Sequence, residues 1–136
     1  MWCVLVRVVI VVGDTPWSYL DAPDLDRLDL ASILVREALD TPYLVGSCLT
    51  RPDYRDVDIR VILFDERYDQ LFPVLPPQRT TLLHVLQRAF TEHYVAMTGL
   101  RIDFQIQRMS DANDRYPTGN RHPLGTYENP EEARRG

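Results

Sequence analysis

The feature that most constrains the fold is the alternation of acidic and apolar residues over residues 56–64. Asp56 and Asp58 alternate with Val57 and Ile59. Residues two positions apart on a β-strand point to the same face, so both carboxylates face one side while the apolar pair faces the core. The pattern therefore predicts a half-buried strand whose polar face offers two oxygen ligands to a divalent cation.

A turn of small residues precedes this strand. Gly46 and Ser47 follow the apolar run from Tyr43 to Val45, which predicts a short buried strand. Glycine allows backbone N–H groups to come close to a ligand, and serine adds a hydroxyl, so the turn suits a phosphate group. A turn that can hold phosphate, beside a strand that can hold metal, is the frame of a phosphoryl-transfer site.

A third carboxylate lies on another alternating segment, residues 100–109. Ile102, Phe104 and Ile106 share one face, and Asp103 lies on the other. Two metal ions about 4 Å apart need bridging oxygen ligands, and a third carboxylate can ligate one ion and act as base for an incoming hydroxyl. Mg²⁺ is the expected ion because it takes oxygen ligands and leaves positions for phosphate oxygens, with Mn²⁺ as the alternative.

Helical and strand-like periodicities predict the elements around these segments. In chain order they are a strand over 3–12, a loop over 14–23, a helix from the N-cap Asp24 to residue 39, a short helix over 65–72 and a long helix over about 79–97, capped by Gly99. Helices interleaved with strands indicate a mixed α/β (α+β) fold, in which helices flank a small mixed sheet.

The length and composition fit one globular domain. The chain has 136 residues, of which 45% are hydrophobic and 26% charged, and such values are typical of a single folded unit. We expect one domain over residues 1–136, with its core at about 24–108. Asn, Asp, Gly, Pro and Arg accumulate further on, which predicts a loop over 110–125 and a flexible tail over 126–136.

The basic residues narrow the chemistry. All 15 are Arg, and the absence of Lys excludes Walker-type phosphate loops, kinase-type sites and Schiff-base enzymes. A positively charged side chain that contacts phosphate would have to be an Arg, and Arg51 and Arg60 are the candidates. The formal net charge of −5 argues against a generally basic surface for nucleic acid.

The cysteines and the apolar N-terminal stretch bear on location and assembly. Cys3 and Cys48 form neither a metal-spaced pair nor a disulfide framework, so a reduced, cytoplasmic protein is expected. Residues 2–12 are apolar but too short to cross a bilayer, so no membrane attachment is expected. If that stretch lies at a sheet edge, it could pair with a second copy, which makes a homodimer a candidate assembly.

Taken together, the motifs resemble the nucleotidyltransferases of the polymerase-beta superfamily. The matching motifs are Val45-Gly46-Ser47, Asp56-Val57-Asp58-Ile59 and Ile102-Asp103-Phe104. The resemblance covers about residues 24–108. More narrowly, the runs 46–60, 98–107 and 121–125 are similar to small stand-alone nucleotidyltransferase-like proteins of bacteriophage and actinobacterial genomes.

The resemblance implies transfer of a nucleoside monophosphate from a nucleoside triphosphate to an acceptor, with release of pyrophosphate. The implied roles are triphosphate binding by Gly46 and Ser47, metal binding by Asp56, Asp58 and Asp103, and deprotonation of the acceptor by Asp103. Arg51 and Arg60 would contact the triphosphate, unless they pair only with neighbouring acids. The acceptor is open, with nucleic acid and protein as candidates.

Two other functions remain open. The segment between Ser47 and Asp56 is short, and we expect no second domain that could recognise a base or an acceptor. These features favour a catalytically weak or inactive member that binds a nucleotide, a nucleic acid or a protein partner, as in toxin–antitoxin or phage–host systems. A metal-dependent nuclease is less favoured, because the Gly-Ser turn has no necessary part in that chemistry.

Overall fold

Strands and helices are interleaved along the chain, and the predicted mixed α/β class is confirmed. The structure is a computed structural model that describes residues 9–12, 15–74 and 80–126, with side chains over 17–74 and 80–126. The described elements are β1 (Val9–Val12), β2 (Thr15–Asp21), α1 (Ala22–Ala38), β3 (Pro42–Val45), a 3₁₀ turn (Ser47–Leu49), β4 (Val57–Leu63), α2 (Asp65–Leu71), α3 (Thr81–Thr98), β5 (Ile102–Arg108), α4 (Met109–Arg115) and β6 (His122–Pro123).

The main sheet has four strands in the described residues, in the order β5-β4-β3-β6. Strand β3 pairs antiparallel with both β4 and β6, whereas β4 pairs parallel with β5. A parallel pair needs a crossover connection, and α2 and α3 supply it. The predicted small mixed sheet flanked by helices is therefore confirmed, and β4 lies at its centre.

One face of the sheet is buried against α1 and α3. In β4 the inward residues Val57, Ile59 and Val61 are each 1% exposed or less, and they join a core cluster with Phe104 of β5 and Tyr94 of α3. The alternation of the strands sends the polar residues of β4 and β5 to the opposite face. The helices thus cover the core face and leave the polar face to other segments.

A buried hydrogen bond joins the two long helices. The hydroxyl groups of Ser32 on α1 and Tyr94 on α3 lie 2.8 Å apart, and both residues are fully buried. Tyr94→Phe should therefore lower the free energy of unfolding by about 1–2 kcal/mol, because the Ser32 hydroxyl loses its partner in a dry interior. Urea denaturation measures the change. Tyr116→Phe is the control, since Tyr116 is exposed and its variant should unfold like the wild type; equal stability of the Tyr94 variant would contradict the prediction.

The predicted loop over residues 14–23 is wrong. Residues Thr15–Asp21 form β2, which pairs antiparallel with β1 in a separate two-stranded sheet. Within β2, Ser18 and Leu20 are buried while their neighbours are half-buried, so the segment has the period of a strand. Pro16 obscures that period in the sequence, because proline usually marks turns or strand edges.

The first helix begins earlier than predicted. Its N-cap is Asp21 rather than Asp24, and the backbone N–H of Asp24 donates to Asp21 Oδ1 at 2.9 Å. Pro23 lies in the first turn, where its missing N–H costs nothing because that group has no partner within the helix. The C-terminal end of the helix and the glycine cap of α3 agree with the sequence predictions.

The predicted loop over 110–125 is wrong in part, because it contains α4 and β6. Helix α4 is rich in residues that usually favour turns, and tertiary contacts hold it instead. The N–H of Ser110 donates to Asp65 Oδ1 at 3.0 Å, and Ala112 is buried.

The predicted tail and the beginning of the predicted first strand lie outside the described residues. No helix in the part of the chain that the structure describes is long and apolar enough to cross a membrane.

Candidate functional site

Two of the three predicted carboxylates lie side by side on the polar face of the sheet. The parallel register of β4 and β5 aligns Asp58 with Asp103. Their carboxyl groups lie close enough for Asp103 to raise the pKa of the Asp58 carboxyl. The two residues are far apart in sequence, so the strand pairing alone creates this oxygen-rich pair.

The surroundings of Asp58 disfavour its ionised form. Burial raises the pKa of the Asp58 carboxyl, Arg60 opposes the rise, and the nearby carboxylates of Asp103 and Asp56 add to it. Only 22% of the Asp58 side chain is exposed. A carboxylate in such a position gains from a bound cation more than an exposed one does, because a positive charge replaces the lost solvation.

Gly46 makes room for the Asp58 carboxylate. A Cβ atom added at residue 46 would overlap Asp58 Oδ2, and the glycine has φ 81° and ψ −154°, a conformation almost confined to glycine. The turn therefore provides a cradle that any side chain at this position would fill. The phosphate contact predicted for Gly46 and Ser47 stays a prediction.

Arg60 lies between the two carboxylates. Its Nη2 is 3.2 Å from Asp103 Oδ2 and 3.9 Å from Asp58 Oδ1. Its Nη1 donates to the backbone carbonyls of Asp103 at 2.7 Å and Ile59 at 3.0 Å. The side chain is only 13% exposed. Arg60 is thus a fixed part of the site.

The other predicted site residues lie at its margin. Asp56 precedes β4 and pairs with the exposed Arg101, whose Nε is 3.3 Å from Asp56 Oδ1. Ser47 is half-buried in the 3₁₀ turn. Arg51 forms a two-pronged ion pair with Asp53, with distances of 2.9 and 3.1 Å, on the exposed surface. The structure therefore brings together Asp58, Asp103, Arg60 and Gly46, and it leaves Asp56 and Arg51 in separate ion pairs.

The carboxylate pair has the chemistry of a magnesium ligand set. Among the residues that the structure describes, no group of three His, Cys, Asp or Glu side chains is placed to hold a metal ion. Mg²⁺ in phosphoryl-transfer enzymes is commonly held by one or two carboxylates, with water and substrate phosphates completing its coordination. Asp58 and Asp103, with the cradle at Gly46, fit that mode.

A cavity of about 310 Å³ opens on the same face of the sheet. Asp58 and Arg60 lie in its wall. The other lining residues are Val45, Gly46, Leu49, Thr50, Ile62, Gln107, Tyr116, Gly119, Asn120 and Arg121. The cavity combines an apolar floor with an aromatic ring and two side-chain amides, which is typical of small-molecule sites, and its volume is at the small end for such sites.

Residues 116–121 form one wall of the cavity. The sequence makes Tyr116 a candidate for stacking on a base and residues 121–123 a candidate loop over a nucleotide, but it does not predict that this segment lines a cavity together with Asp58. Arg121 holds this wall near α4, because its Nη2 donates to the Ala112 carbonyl at 3.3 Å, close to the end of that helix. One signal was available in the sequence. Ile62 is apolar yet shares a face with Asp58, and such a residue implies that something covers that end of the strand.

Cys48 takes no part in nucleophilic chemistry. It is fully buried within the 3₁₀ turn, and its burial together with the nearby Asp58 raises the pKa of the thiol to about 12. A thiolate is the reactive form of cysteine, and at neutral pH this thiol stays protonated. The chemistry of the site therefore rests on its carboxylates and on Arg60.

No family model, curated protein or solved structure matches the chain. The resemblance to polymerase-beta superfamily nucleotidyltransferases accordingly stays a prediction from three short motifs.

Proposed function

We propose that the chain is a Mg²⁺-dependent nucleotidyltransferase, which moves a nucleoside monophosphate from a nucleoside triphosphate to an acceptor. The observation that carries the proposal is the pairing of Asp58 with Asp103 above Gly46. Two carboxylates from distant parts of the chain, one of them mostly buried, form a compact anionic pair beside a cavity. Two neighbouring carboxylates destabilise the folded state, and a cation bound between them would offset this destabilisation.

Each residue of the site has a role in this reaction. Asp58 and Asp103 would hold Mg²⁺, which neutralises charge on the phosphates when bound. Arg60, which lines the cavity, would contact a phosphate oxygen, since arginine is suited to phosphate recognition. Asp103 would also accept the proton of the acceptor hydroxyl, because 43% of its side chain is exposed and an acceptor can reach it.

The cavity would hold the nucleoside part of the substrate. Tyr116 offers an aromatic ring to stack on a base, and the amides of Gln107 and Asn120 offer both donors and acceptors to its edge. Val45 and Ile62 supply apolar contact beneath it. These features support a nucleotide rather than a bare polyphosphate as the substrate.

The test is to incubate the protein with labelled nucleoside triphosphates, Mg²⁺ and a panel of nucleic-acid and protein acceptors. We expect Mg²⁺-dependent label transfer with matching release of pyrophosphate, and we expect EDTA to stop both. Calorimetry on the same samples should detect binding of the Mg²⁺–nucleotide complex. Absence of binding for all four common nucleoside triphosphates would overturn the proposal.

A nucleotide-binding protein without transfer activity is the second candidate. The observation that favours it is that Asp56 is engaged with the exposed Arg101, and that no group of three carboxylates among the described residues is placed to hold a metal ion. A site with two ligating carboxylates holds one metal more readily than two. Mg²⁺-dependent nucleotide binding with no pyrophosphate release in any acceptor reaction would favour this candidate over the first.

A further inference from the structure

Arg60 is a positive charge built into an anionic site. It is held by four contacts, two to backbone carbonyls and two to the carboxylates of Asp58 and Asp103. A guanidinium stays protonated under all ordinary conditions. With both carboxyl groups ionised, the three side chains carry one net negative charge, and two of them, Asp58 and Arg60, are mostly buried.

We propose that Arg60 makes metal binding at Asp58 and Asp103 depend on a bound polyphosphate. The proposal rests on the proposed function, in that it takes the carboxylate pair as the metal site. In this proposal the fixed positive charge of Arg60 decides whether a cation binds at the carboxylate pair alone or only together with a polyphosphate. A bare divalent cation is held weakly, and a cation that arrives with a polyphosphate is held well.

Arg60 is firmly held in its position between the two carboxylates. Its Nη1 satisfies two backbone carbonyls, at 2.7 and 3.0 Å, and its side chain is 13% exposed. Moving the guanidinium away would leave those carbonyls and a buried charge without partners, which is costly. A divalent cation at the carboxylate pair would therefore have Arg60 as a close neighbour.

The positive charge of Arg60 acts on any cation bound at the carboxylate pair. Two positive groups a few ångströms apart repel each other strongly in a partly buried site, so Arg60 weakens the binding of a bare cation. An anion that contacts both groups turns this repulsion into attraction. Metal and polyphosphate then raise each other's affinity, and the coupling is the same in both directions.

The test uses Mn²⁺ and tripolyphosphate as probes and compares Arg60→Gln with the wild type. Removing the charge should tighten the binding of Mn²⁺ alone by about tenfold or more, because the repulsion at short range is lost. The same change should weaken the binding of tripolyphosphate in the presence of Mn²⁺ by about tenfold. Electron paramagnetic resonance of Mn²⁺ and calorimetry measure the two affinities.

Two variants serve as controls. Arg88→Gln removes the same charge from an exposed pair with Glu92 on α3, outside the carboxylate site, and should leave both affinities within about twofold of wild type. Arg60→Lys keeps the charge, so its affinity for Mn²⁺ alone should remain as weak as that of the wild type. A merely structural Arg60 would lower stability in both Arg60 variants and would not tighten Mn²⁺ binding in either.

The proposal is overturned if Arg60→Gln binds Mn²⁺ no more tightly than the wild type. If that variant does not fold, the wild type decides: Mn²⁺ with tripolyphosphate should raise its melting temperature clearly more than either probe alone, and equal shifts with and without tripolyphosphate overturn the proposal. These readouts need no nucleotide. Failure of nucleotide binding with a normal Arg60 effect would therefore reject the proposed function alone, and nucleotide binding without an Arg60 effect would reject this inference alone.

Discussion

Asp58→Asn should reduce Mg²⁺-dependent nucleotide transfer by about 10³-fold or more, since charge stabilisation by a metal contributes several kcal/mol to a phosphoryl transition state. The amide has nearly the same shape as the carboxylate but carries no charge, so the pair with Asp103 is left with a single anionic ligand. Steady-state kinetics at saturating nucleotide measure the loss. Asp53→Asn is the matched control, because Asp53 pairs with Arg51 on the exposed surface and its variant should keep wild-type activity.

The same variant should not be less stable than the wild type at neutral pH. Burial raises the pKa of Asp58 above its usual value of 3.8, so the folded state holds the proton more tightly than the unfolded state does. The contribution of this group to stability is therefore full below pH 3.8 and is lost as the pH rises through the raised pKa. Asparagine carries no such penalty.

Thermal melts separate the two effects of this substitution. We expect Asp58→Asn to melt at or above the wild-type temperature at pH 7, and the difference to shrink as the pH falls towards 4, about the usual pKa of an aspartate. Loss of activity together with retained or increased stability is the pattern expected of a functional residue that lowers the stability of the folded state. Full activity in the variant, or an unfolded variant at pH 7, would contradict the prediction.

Gly46→Ala should lower the free energy of unfolding by about 3 kcal/mol or more. The backbone conformation at residue 46 costs a non-glycine residue about 1–3 kcal/mol, and the overlap of the new Cβ with Asp58 Oδ2 adds a similar steric cost. The carboxylate of Asp58 would be pushed out of line with Asp103, so binding of Mn²⁺ and nucleotide should fall as well. Chemical denaturation and calorimetry measure the two losses.

Gly99→Ala is the matched control for this substitution. Gly99 caps α3 with φ 71°, and a Cβ atom there would meet nothing within 4 Å. Its replacement should cost about 1 kcal/mol, from backbone conformation alone, and should leave ligand binding unchanged. If the two variants lose equal stability and both bind ligand normally, the close contact between Gly46 and Asp58 has no importance.

Much of the fold followed from the sequence because its segments have clear periods. The alternation over residues 56–64 was enough to predict β4 and its polar face, since only one face of that strand could be buried. The glycine after α3 marked the end of that helix. In each case the local preference of the chain agrees with its tertiary environment.

The parts that were missed depend on contacts between distant segments. Helix α4 has a sequence typical of a turn, and its position depends on Asp65 and on the burial of Ala112. Strand β2 contains a proline and gains its structure from pairing with β1. Local propensity cannot predict either element, because the energy that forms them comes from other parts of the fold.

In the candidate site, too, the residue types can be read from the sequence, whereas their arrangement depends on contacts between distant segments. Its carboxylates, its glycine and its arginine were recognisable as residue types in a pattern. Their arrangement depends on the register between β4 and β5, which aligns Asp58 with Asp103 and brings Arg60 between them. The wall at residues 116–121 depends on the return of the chain to the sheet through β6. No local pattern specifies these relations.

The parallel register of β4 and β5 also has a consequence for the order of assembly. Strands β3 and β4 are close in sequence, so Gly46 and Asp58 can meet early in folding, whereas β5 follows only after the crossover that contains α2 and α3. Before β5 pairs with β4, Asp103 does not yet lie beside Asp58, so the partly folded chain has only one of the two carboxylates proposed to bind the ion. Only the fully folded protein would bind the ligand, and binding would stabilise β5 in its place. Hydrogen exchange in β5 should therefore slow most when Mn²⁺ and tripolyphosphate are added together.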